Sequence, residues 1–103
     1  MKHTIIFSKD TASEYFYDKE DSNTSWIYNK EFVCQTMHTN SLILKYKGWL
    51  YLREVYNRLG LDATKIPARL GWELSRKSRF KYKIIEHEDE EKFEIIVDPE
   101  ELE

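Results

Sequence analysis

The sequence predicts an α+β domain, on three observations. An apolar run near the N-terminus has the composition of a strand, a long central segment has apolar residues at helical spacing, and two runs near the C-terminus alternate with period two. Together they predict one or two N-terminal strands, one long helix, a short helix pair and a C-terminal antiparallel β-hairpin that completes a small sheet. With 103 residues, the chain is close to the usual size of one domain, so residues 1–103 are predicted to form a single domain.

The N-terminal region is predicted to contain a strand at His3–Ser8, which has three consecutive apolar residues. We expect it to pair with a second short strand at Glu14–Tyr17, across a turn of polar residues. Asp18–Ser25 is polar throughout, which favours a loop that supplies the N-cap of the following helix through one of its last three residues.

A helix is predicted from Trp26 to Lys47, ended by Gly48 as a left-handed C-terminal cap. Its apolar residues form two clusters on roughly opposite sides, Trp26, Val33, Met37 and Leu44 on one and Tyr28, Phe32, Ile43 and Tyr46 on the other. A helix that is apolar on two sides lies between two layers or touches a partner chain, which makes residues 26–46 a candidate homodimer surface. Thr36–Ser41 is poor in helix formers, so a bend or an end of the helix is the alternative there.

The short helix pair is predicted between residues 52 and 70. Trp49–Tyr51 is a short extended piece, and Leu52–Leu59 then has apolar residues at i, i+3, i+4 and i+7, closed by a glycine. A second helix, capped by Asp62 or Thr64, is expected to run through Leu70 with Pro67 in its first turn.

The C-terminal hairpin follows from two alternating runs. Phe80, Tyr82 and Ile84 alternate with more polar residues, and Phe93, Ile95 and Val97 do the same after a polar segment. That segment lacks the residues of a tight turn, which predicts a mobile loop of four or five residues. Glu100–Glu103, after Pro99, is expected to be a frayed tail.

Charge is strongly segregated along the chain. Residues 1–52 carry equal numbers of acidic and basic residues, and residues 53–83 carry nine basic against three acidic, a net charge of +6. Residues 84–103 carry ten acidic residues against one lysine, a net charge of −9. The overall charge of −3 is therefore the small remainder of two opposite segments, and this asymmetry bears on partners rather than on fold.

The residues give no motif for catalysis, a metal or a cofactor. Cys34 and His38 share a helix face at i, i+4, but no second such pair exists to complete a metal site. The acidic run Glu86–Glu91 lacks the glycine and the ligand spacing of a calcium loop. We therefore expect a non-enzymatic protein without cofactor or metal. A single cysteine and the lack of an apolar run of roughly 18–20 residues predict a cytoplasmic protein without a membrane partner.

The basic segment suggests one function. Its predicted helix pair has the outline of a helix-turn-helix, in which the second helix would face a DNA groove. The candidate nucleic-acid-binding residues are Lys65, Arg69, Arg76, Lys77 and Arg79. The alternative is that the basic and acidic segments neutralise each other, with Lys81 and Lys83 close to Glu94 across the hairpin.

The acidic segment suggests another function. Carboxylates on a protruding hairpin can imitate a phosphate backbone and occupy a nucleic-acid channel, with the salt sensitivity of protein–DNA contacts. The candidate partner-binding residues are Glu86, Glu88, Glu90, Glu91 and Glu94.

A motif of packing and capping residues runs through Gly48–Tyr56, Leu59-Gly60-Leu61, Thr64-Lys65 and Leu70-Gly71-Trp72. By this motif, residues 48–98 resemble an uncharacterised family of small proteins from bacteriophages and mobile elements of Gram-positive bacteria. The resemblance implies a phage or mobile-element origin and, by itself, no catalytic residue and no function.

These observations predict an interaction protein of phage type that acts in the cytoplasm of the host bacterial cell. Its expected partner is a host protein, such as a CRISPR or restriction nuclease, which it binds and blocks through charged surfaces. The fifteen aromatic residues fit such a role, because aromatic side chains anchor many interfaces. The alternatives are a small DNA-binding regulator that uses the 52–70 helix pair and a self-associating structural protein.

Overall fold

The computed structural model describes residues 2–13, 16–18, 23–76 and 79–102, and its fold is α+β as predicted. Its strands and helices in chain order are β1 (His3–Ser8), α1 (Asn23–Lys47), β2 (Trp49–Tyr51), α2 (Leu52–Arg58), β3 (Leu70–Glu73), β4 (Tyr82–His87), β5 (Lys92–Val97) and β6 (Glu100–Glu101). The strands form two antiparallel three-stranded sheets, which we call sheet one, with the order β1-β5-β4, and sheet two, with the order β2-β3-β6.

Sheet one contains the predicted C-terminal hairpin, with β1 on the other side of β5. Ile95 of β5 lies opposite Ile5 of β1 and Ile84 of β4. Because alternate residues of a strand face the same side, Phe7 and Phe93 join these residues on one face, where both phenylalanines are fully buried. Trp26 of α1 stacks on Phe93 at a ring-centroid distance of 4.3 Å, so α1 covers this face.

Helix α1 is continuous through the segment where a bend was the alternative. It begins at Asn23, so the three residues predicted as caps lie within its first turn, and the residue before it is outside the described part. Val33, Met37 and Leu44 are buried as predicted. Among the described residues, no helix is both long and apolar enough to span a bilayer.

The second apolar cluster of α1 is divided between the core and the surface. Phe32 and Ile43 pack against the buried core. Tyr28 and Tyr46 are 54% and 79% exposed. The first apolar cluster of α1 therefore faces the core as predicted. Of the second cluster, Phe32 and Ile43 face the core, and the two tyrosines remain on the surface.

The second helix of the predicted pair does not form, and residues 62–69 make turns that lead into β3. The Asp62 carboxylate accepts the Thr64 N–H at 2.9 Å, a local bond that competes with helix formation. Pro67 has no N–H and disfavours helical backbone at the residue before it. Leu70, the last residue of the predicted helix, begins β3, and Gly71 lies in β3 opposite Tyr51 of β2.

Gly71 is required there because β2 and β3 approach closely. A Cβ at this position would overlap the carbonyl oxygen of Leu50 and lie 2.9 Å from the Cα of Tyr51. Next to it, Trp72 is buried opposite Leu50, which is buried as well. In β3 of sheet two, the glycine at position 71 lets β2 approach closely, and the next residue, Trp72, fills the core with a large side chain.

The predicted pairing of β1 with residues 14–17 is wrong for the described part of that segment. The Ala12 N–H donates to the Ser8 carbonyl at 2.9 Å and turns the chain, and Ala12 then forms an isolated bridge with Leu61. The Tyr17 N–H donates to the Ser13 carbonyl in a turn. Glu14 and Tyr15 lie outside the described residues. The position beside β1 belongs to β5, which pairs with it along all six residues.

Glu100–Leu102 do not form the predicted frayed tail, and Glu103 lies outside the described residues. Glu100–Glu101 form β6 beside β3, and the Leu102 N–H donates to the Arg69 carbonyl at 2.7 Å. The Leu102 side chain is buried. Pro99 ends β5 as predicted, but one buried leucine is enough to bring the following residues back onto the protein.

Candidate functional site: the acidic hairpin loop and the basic segment

The acidic hairpin loop comprises Glu88–Glu91, which join β4 to β5. Its first three residues form one 3₁₀ turn, and the Glu91 N–H donates to the Glu88 carbonyl at 3.1 Å. Glu91 has a left-handed backbone with φ of 53°. The loop has the predicted length of four residues and contains a defined turn.

Tyr17 anchors this loop to the rest of the protein. Its side chain is buried, and its hydroxyl donates to the Glu91 carbonyl at 2.8 Å. Burial, with the nearby charges of Glu91 and Asp18, raises the pKa of the Tyr17 hydroxyl, so it stays a donor at neutral pH. The sequence does not reveal this residue as part of the site, because it lies 74 positions away from Glu91.

Most of the predicted acidic residues have partners. Glu86 pairs with Lys30 at 3.2 Å, Glu90 with Lys92 at 3.0 Å, Glu91 with Lys9, and Glu94 with His87 at 2.9 Å. The hydrogen bond and the charge of Lys92 lower the pKa of the Glu90 carboxyl. Within the described ranges, the exposed Glu88 and Asp89 have no ion-pair partner. The uncompensated negative charge therefore lies at the start of the turn.

The predicted mutual neutralisation of the basic and acidic segments occurs in part, since Arg76 lies 4.0 Å from the Glu100 carboxylate, but Lys81 and Lys83 take no part in it. Both lysines are exposed, and neither forms an ion pair with Glu94. In the register of the hairpin Lys83 lies opposite Ile96, and the Glu94 carboxylate lies 2.9 Å from His87 Nε2. The cations that pair with the loop are Lys9, just after β1, and Lys92, at the start of β5. Glu86, just before the loop, pairs with Lys30 of α1.

The loop surrounds a shallow concave surface of about 350 Å³, lined by residues 86–90. In the part of the chain that the structure describes, no three His, Cys, Asp or Glu side chains are arranged to hold a metal ion. This applies equally to Cys34 and His38, which lie exposed on α1.

The second helix of the predicted helix-turn-helix is absent from the basic segment. Lys65 and Arg69 are exposed in the turns between α2 and β3, and Arg79 is exposed before β4. Lys77 lies outside the described residues. Because the second helix is absent, these cations are not presented along one helix face.

Arg76 is held by acidic residues of sheet two. Its Nε lies 3.2 Å from the Glu73 carboxylate, and its Nη1 lies 4.0 Å from that of Glu100. The same Nη1 donates to the Glu101 carbonyl at 3.1 Å. This arginine therefore links β6 to β3.

A second concave surface, of about 370 Å³, lies beside β1 and was not predicted. It is lined by Thr4, Ile6, Thr11, Tyr56, Leu61 and Asp62. Nearby, His3 Nε2 lies 2.7 Å from the Tyr56 hydroxyl. Burial lowers the pKa of His3 and raises that of Tyr56, so both groups are neutral at pH 7.

A polar network joins α1 to α2. The guanidinium of Arg58 donates to Asn40 Oδ1 at 3.0 Å and lies 3.4 Å from the Glu54 carboxylate. Burial raises the pKa of Glu54, but the Tyr51 N–H and the charges of Lys47 and Arg58 outweigh it and lower the pKa overall. The network fixes how the two helices meet and contains no arrangement of nucleophile and base.

The chain belongs to a family of unknown function, DUF6353, whose model matches residues 1–98. The match covers the N-terminal strand and α1 as well as the region 48–98, where the sequence resembles an uncharacterised family. No curated protein matches the chain, and no solved structure does.

Proposed function

We propose that this protein is a non-enzymatic interaction protein that binds a basic surface of a partner protein through its acidic hairpin loop. The carboxylates of the loop take the positions of nucleic-acid phosphates. The partner class is a host nucleic-acid enzyme, such as a CRISPR or restriction nuclease, whose channel the loop occupies and blocks.

The observation that carries the proposal is the unpaired charge of Glu88 and Asp89 on an anchored turn. Both carboxylates are exposed, and the turn is tied down by Tyr17 through the Glu91 carbonyl. An anchored loop loses little conformational entropy when it binds, so more of its electrostatic attraction contributes to affinity. Electrostatic complementarity of this kind also raises association rates and makes them sensitive to salt.

A phage or mobile-element origin is part of the same proposal. It rests on the resemblance of residues 48–98 to small phage-type proteins, together with membership of a family of unknown function. Nucleases that defend the host act in the bacterial cytoplasm, which is the compartment we assign to the protein. Blocking by binding needs no catalytic group, in keeping with a sequence that contains no catalytic motif.

A panel of purified restriction and CRISPR nucleases tests the proposal through inhibition of DNA cleavage. We expect the wild-type protein to inhibit at least one enzyme, less effectively as salt rises from about 50 mM to about 200 mM. The double variant Glu88→Lys with Asp89→Lys should lose this inhibition.

The matched control reverses two exposed carboxylates outside the loop, Glu31→Lys with Glu101→Lys, for the same change in net charge. It should inhibit as the wild type does. Equal inhibition by the loop variant and the control, or inhibition by neither the wild type nor any variant across the panel, would contradict the proposal.

DNA binding by the basic segment stays a prediction from the sequence and is not proposed here. The helix that would enter the groove is replaced by turns and β3, and Arg76 is engaged by Glu73. A gel shift at about 50 mM salt measures any remaining affinity for DNA.

A further inference from the structure

The two edge strands of sheet one, β1 and β4, differ in how their outward backbone groups are bonded. One hydrogen bond of β1 shows which backbone groups of the sheet point outward. Thr11 Oγ1 donates to the Ile6 carbonyl at 2.9 Å, so the backbone of Ile6 faces away from β5. In an antiparallel pair the residues that face the neighbouring strand alternate. Ile5, Phe7 and their partners Ile95 and Phe93 therefore exchange the bonds between β1 and β5.

The same alternation fixes the orientation of β4. Because Phe93 and Ile95 direct their backbone groups at β1, Lys92 and Glu94 direct theirs at His87 and Ile85 of β4. The backbone N–H and C=O groups of Tyr82, Ile84 and Glu86 consequently point to the free edge. No backbone group elsewhere in the described ranges bonds to them.

The edge of β1 is closed at one end, whereas the edge of β4 is open along its whole length. On β1, Thr11 Oγ1 accepts the Ser8 N–H at 2.9 Å, and the Ser8 carbonyl accepts the Ala12 N–H. No side chain or turn plays this part at β4 among the residues that are described. An open edge of six residues is a template for another strand.

The charges along the edge of β4 are self-complementary. The exposed Lys81 and Lys83 lie at its start, and the exposed Glu88 and Asp89 lie just beyond its end. These four groups have no ion-pair partner in the described part of the chain. An antiparallel copy of the same strand brings the basic end of one chain against the acidic end of the other, whereas a parallel copy brings like charges together.

We propose that a second copy of this chain pairs with β4 in the antiparallel direction and forms a two-fold symmetric dimer with a six-stranded sheet. Ile84 and Glu86 exchange backbone bonds with Glu86 and Ile84 of the second copy, which places the axis at Ile85. In this register Lys81 meets the acidic turn of the second copy. If the axis lay at Ile84 instead, Lys81 would lie opposite His87 of the second copy and would no longer meet its acidic turn.

The side chains beside the edge supply apolar contact as well as charge. Tyr82 is 38% exposed, and Ile84 and Ile85 are half-buried on opposite faces of the strand. In the proposed register Ile85 of each copy packs against Ile85 of the other. Cross-strand pairs of β-branched residues and of opposite charges are the usual units of sheet stabilisation.

Light scattering after size exclusion at low salt tests the dimer with two charge-reversed variants. The wild type should show twice the monomer mass. An acidic-edge variant, Lys81→Glu with Lys83→Glu, and a basic-edge variant, Glu88→Lys with Asp89→Lys, should each dimerise at least about tenfold more weakly. An equimolar mixture of the two variants should recover the dimer, because their edges are complementary.

A backbone variant tests the pairing without a change of charge. Ile84→Pro removes an N–H that points to the free edge, which edge strands tolerate, and should give a monomer with an unchanged circular dichroism spectrum. Thr4→Pro makes the same change at the edge of β1 and should leave the dimer intact. If Ile84→Pro fails to fold, the mixture of charge variants still decides the question.

Three results would overturn the proposal. One is a wild-type protein that is monomeric at every concentration, and another is a mixture of variants that stays monomeric. The third is a dimer that persists in the β4 variants but is lost in Tyr28→Ser with Tyr46→Ser, which would place the contact on the exposed side of α1 instead. In the dimer Lys81 of the second copy meets the acidic turn, so dimerisation and nuclease binding compete for Glu88 and Asp89. The acidic-edge variant keeps the whole acidic hairpin loop and should inhibit the nuclease without forming the dimer, which separates the proposed function from the dimer.

Discussion

Sheet one and sheet two are held together in different ways. In sheet one, strands of six residues pair along their whole length and bury alternate side chains, with Ile5, Phe93 and Ile95 fully enclosed. In sheet two, strands of two to four residues meet around Gly71 and Trp72. Many equivalent contacts support the first sheet, whereas a few specific ones support the second. The two sheets should therefore respond differently to substitution.

The largest effect is expected from Phe93→Ala in sheet one. Phe93 is fully buried, stacked by Trp26, so its removal should cost about 4 kcal/mol of the free energy of unfolding. Ile96→Ala, on the other face of the same strand and only half-buried, should cost about 1 kcal/mol. Urea denaturation measures both. Equal losses would show that α1 does not cover one face of this sheet.

Gly71→Ala should cost about 3 kcal/mol, because the new Cβ overlaps the Leu50 carbonyl and forces β2 from β3. Gly48→Ala is the control: nothing lies within 4 Å of its Cβ, and only the strain of its φ of +95° remains, about 1 kcal/mol. Hydrogen exchange should show that Gly71→Ala exposes amides of sheet two and leaves those of β1 and β5 protected. Loss of protection in both sheets would contradict the comparison.

Leu102→Ala should cost about 2 kcal/mol, since this buried side chain holds the end of the chain against Arg69 and β3. Leu42→Ala makes the same chemical change at an exposed position of α1 and should cost about 0.5 kcal/mol or less. Thermal unfolding compares the two. If the two variants lose the same stability, the residues after Pro99 contribute nothing to sheet two.

The smallest effect is a pH dependence from His3, at the edge of sheet one. Burial lowers the pKa of His3 in the folded state below its ordinary value of 6.5, so the unfolded chain takes up the proton more readily. The free energy of unfolding should therefore fall as the pH drops below 6.5. His3→Gln cannot take up a proton here and should lose less stability between about pH 7.5 and about pH 5.5. Urea midpoints at the two pH values measure the difference, and parallel decreases in the two proteins would rule out His3 as the source.

The elements predicted correctly are those whose pattern repeats along several residues. The alternation of Phe93, Ile95 and Val97 defines β5, and the helical spacing of Val33, Met37 and Leu44 defines the buried side of α1. Within each element these residues are all buried on one face, so their spacing along the chain is enough to predict the element and its buried side. The acidic loop could also be predicted from the sequence, because its acidic residues follow one another along the chain.

The elements missed are those that depend on a single distant contact. The turns at residues 62–69 formed where a helix was expected, because Leu70–Glu73 gains more by pairing with Trp49–Tyr51 than by continuing a helix that contains a proline. The acidic loop is contacted by Lys9 and by the Tyr17 hydroxyl, and Glu86 just before it pairs with Lys30. All three partners come from segments far away along the chain. No local pattern marks them.

The α+β class, the hairpin, the long helix and the segregation of charge can all be predicted from the amino-acid sequence, because periodicity and composition act over neighbouring residues. The open edge of sheet one, the unpaired carboxylates and the need for glycine at position 71 become apparent in the folded protein alone. These features depend on strand order, register and close approach between distant segments. The physical reason is that an ion pair or a backbone bond is set by distance in space, and the spacing of residues along the chain does not fix that distance.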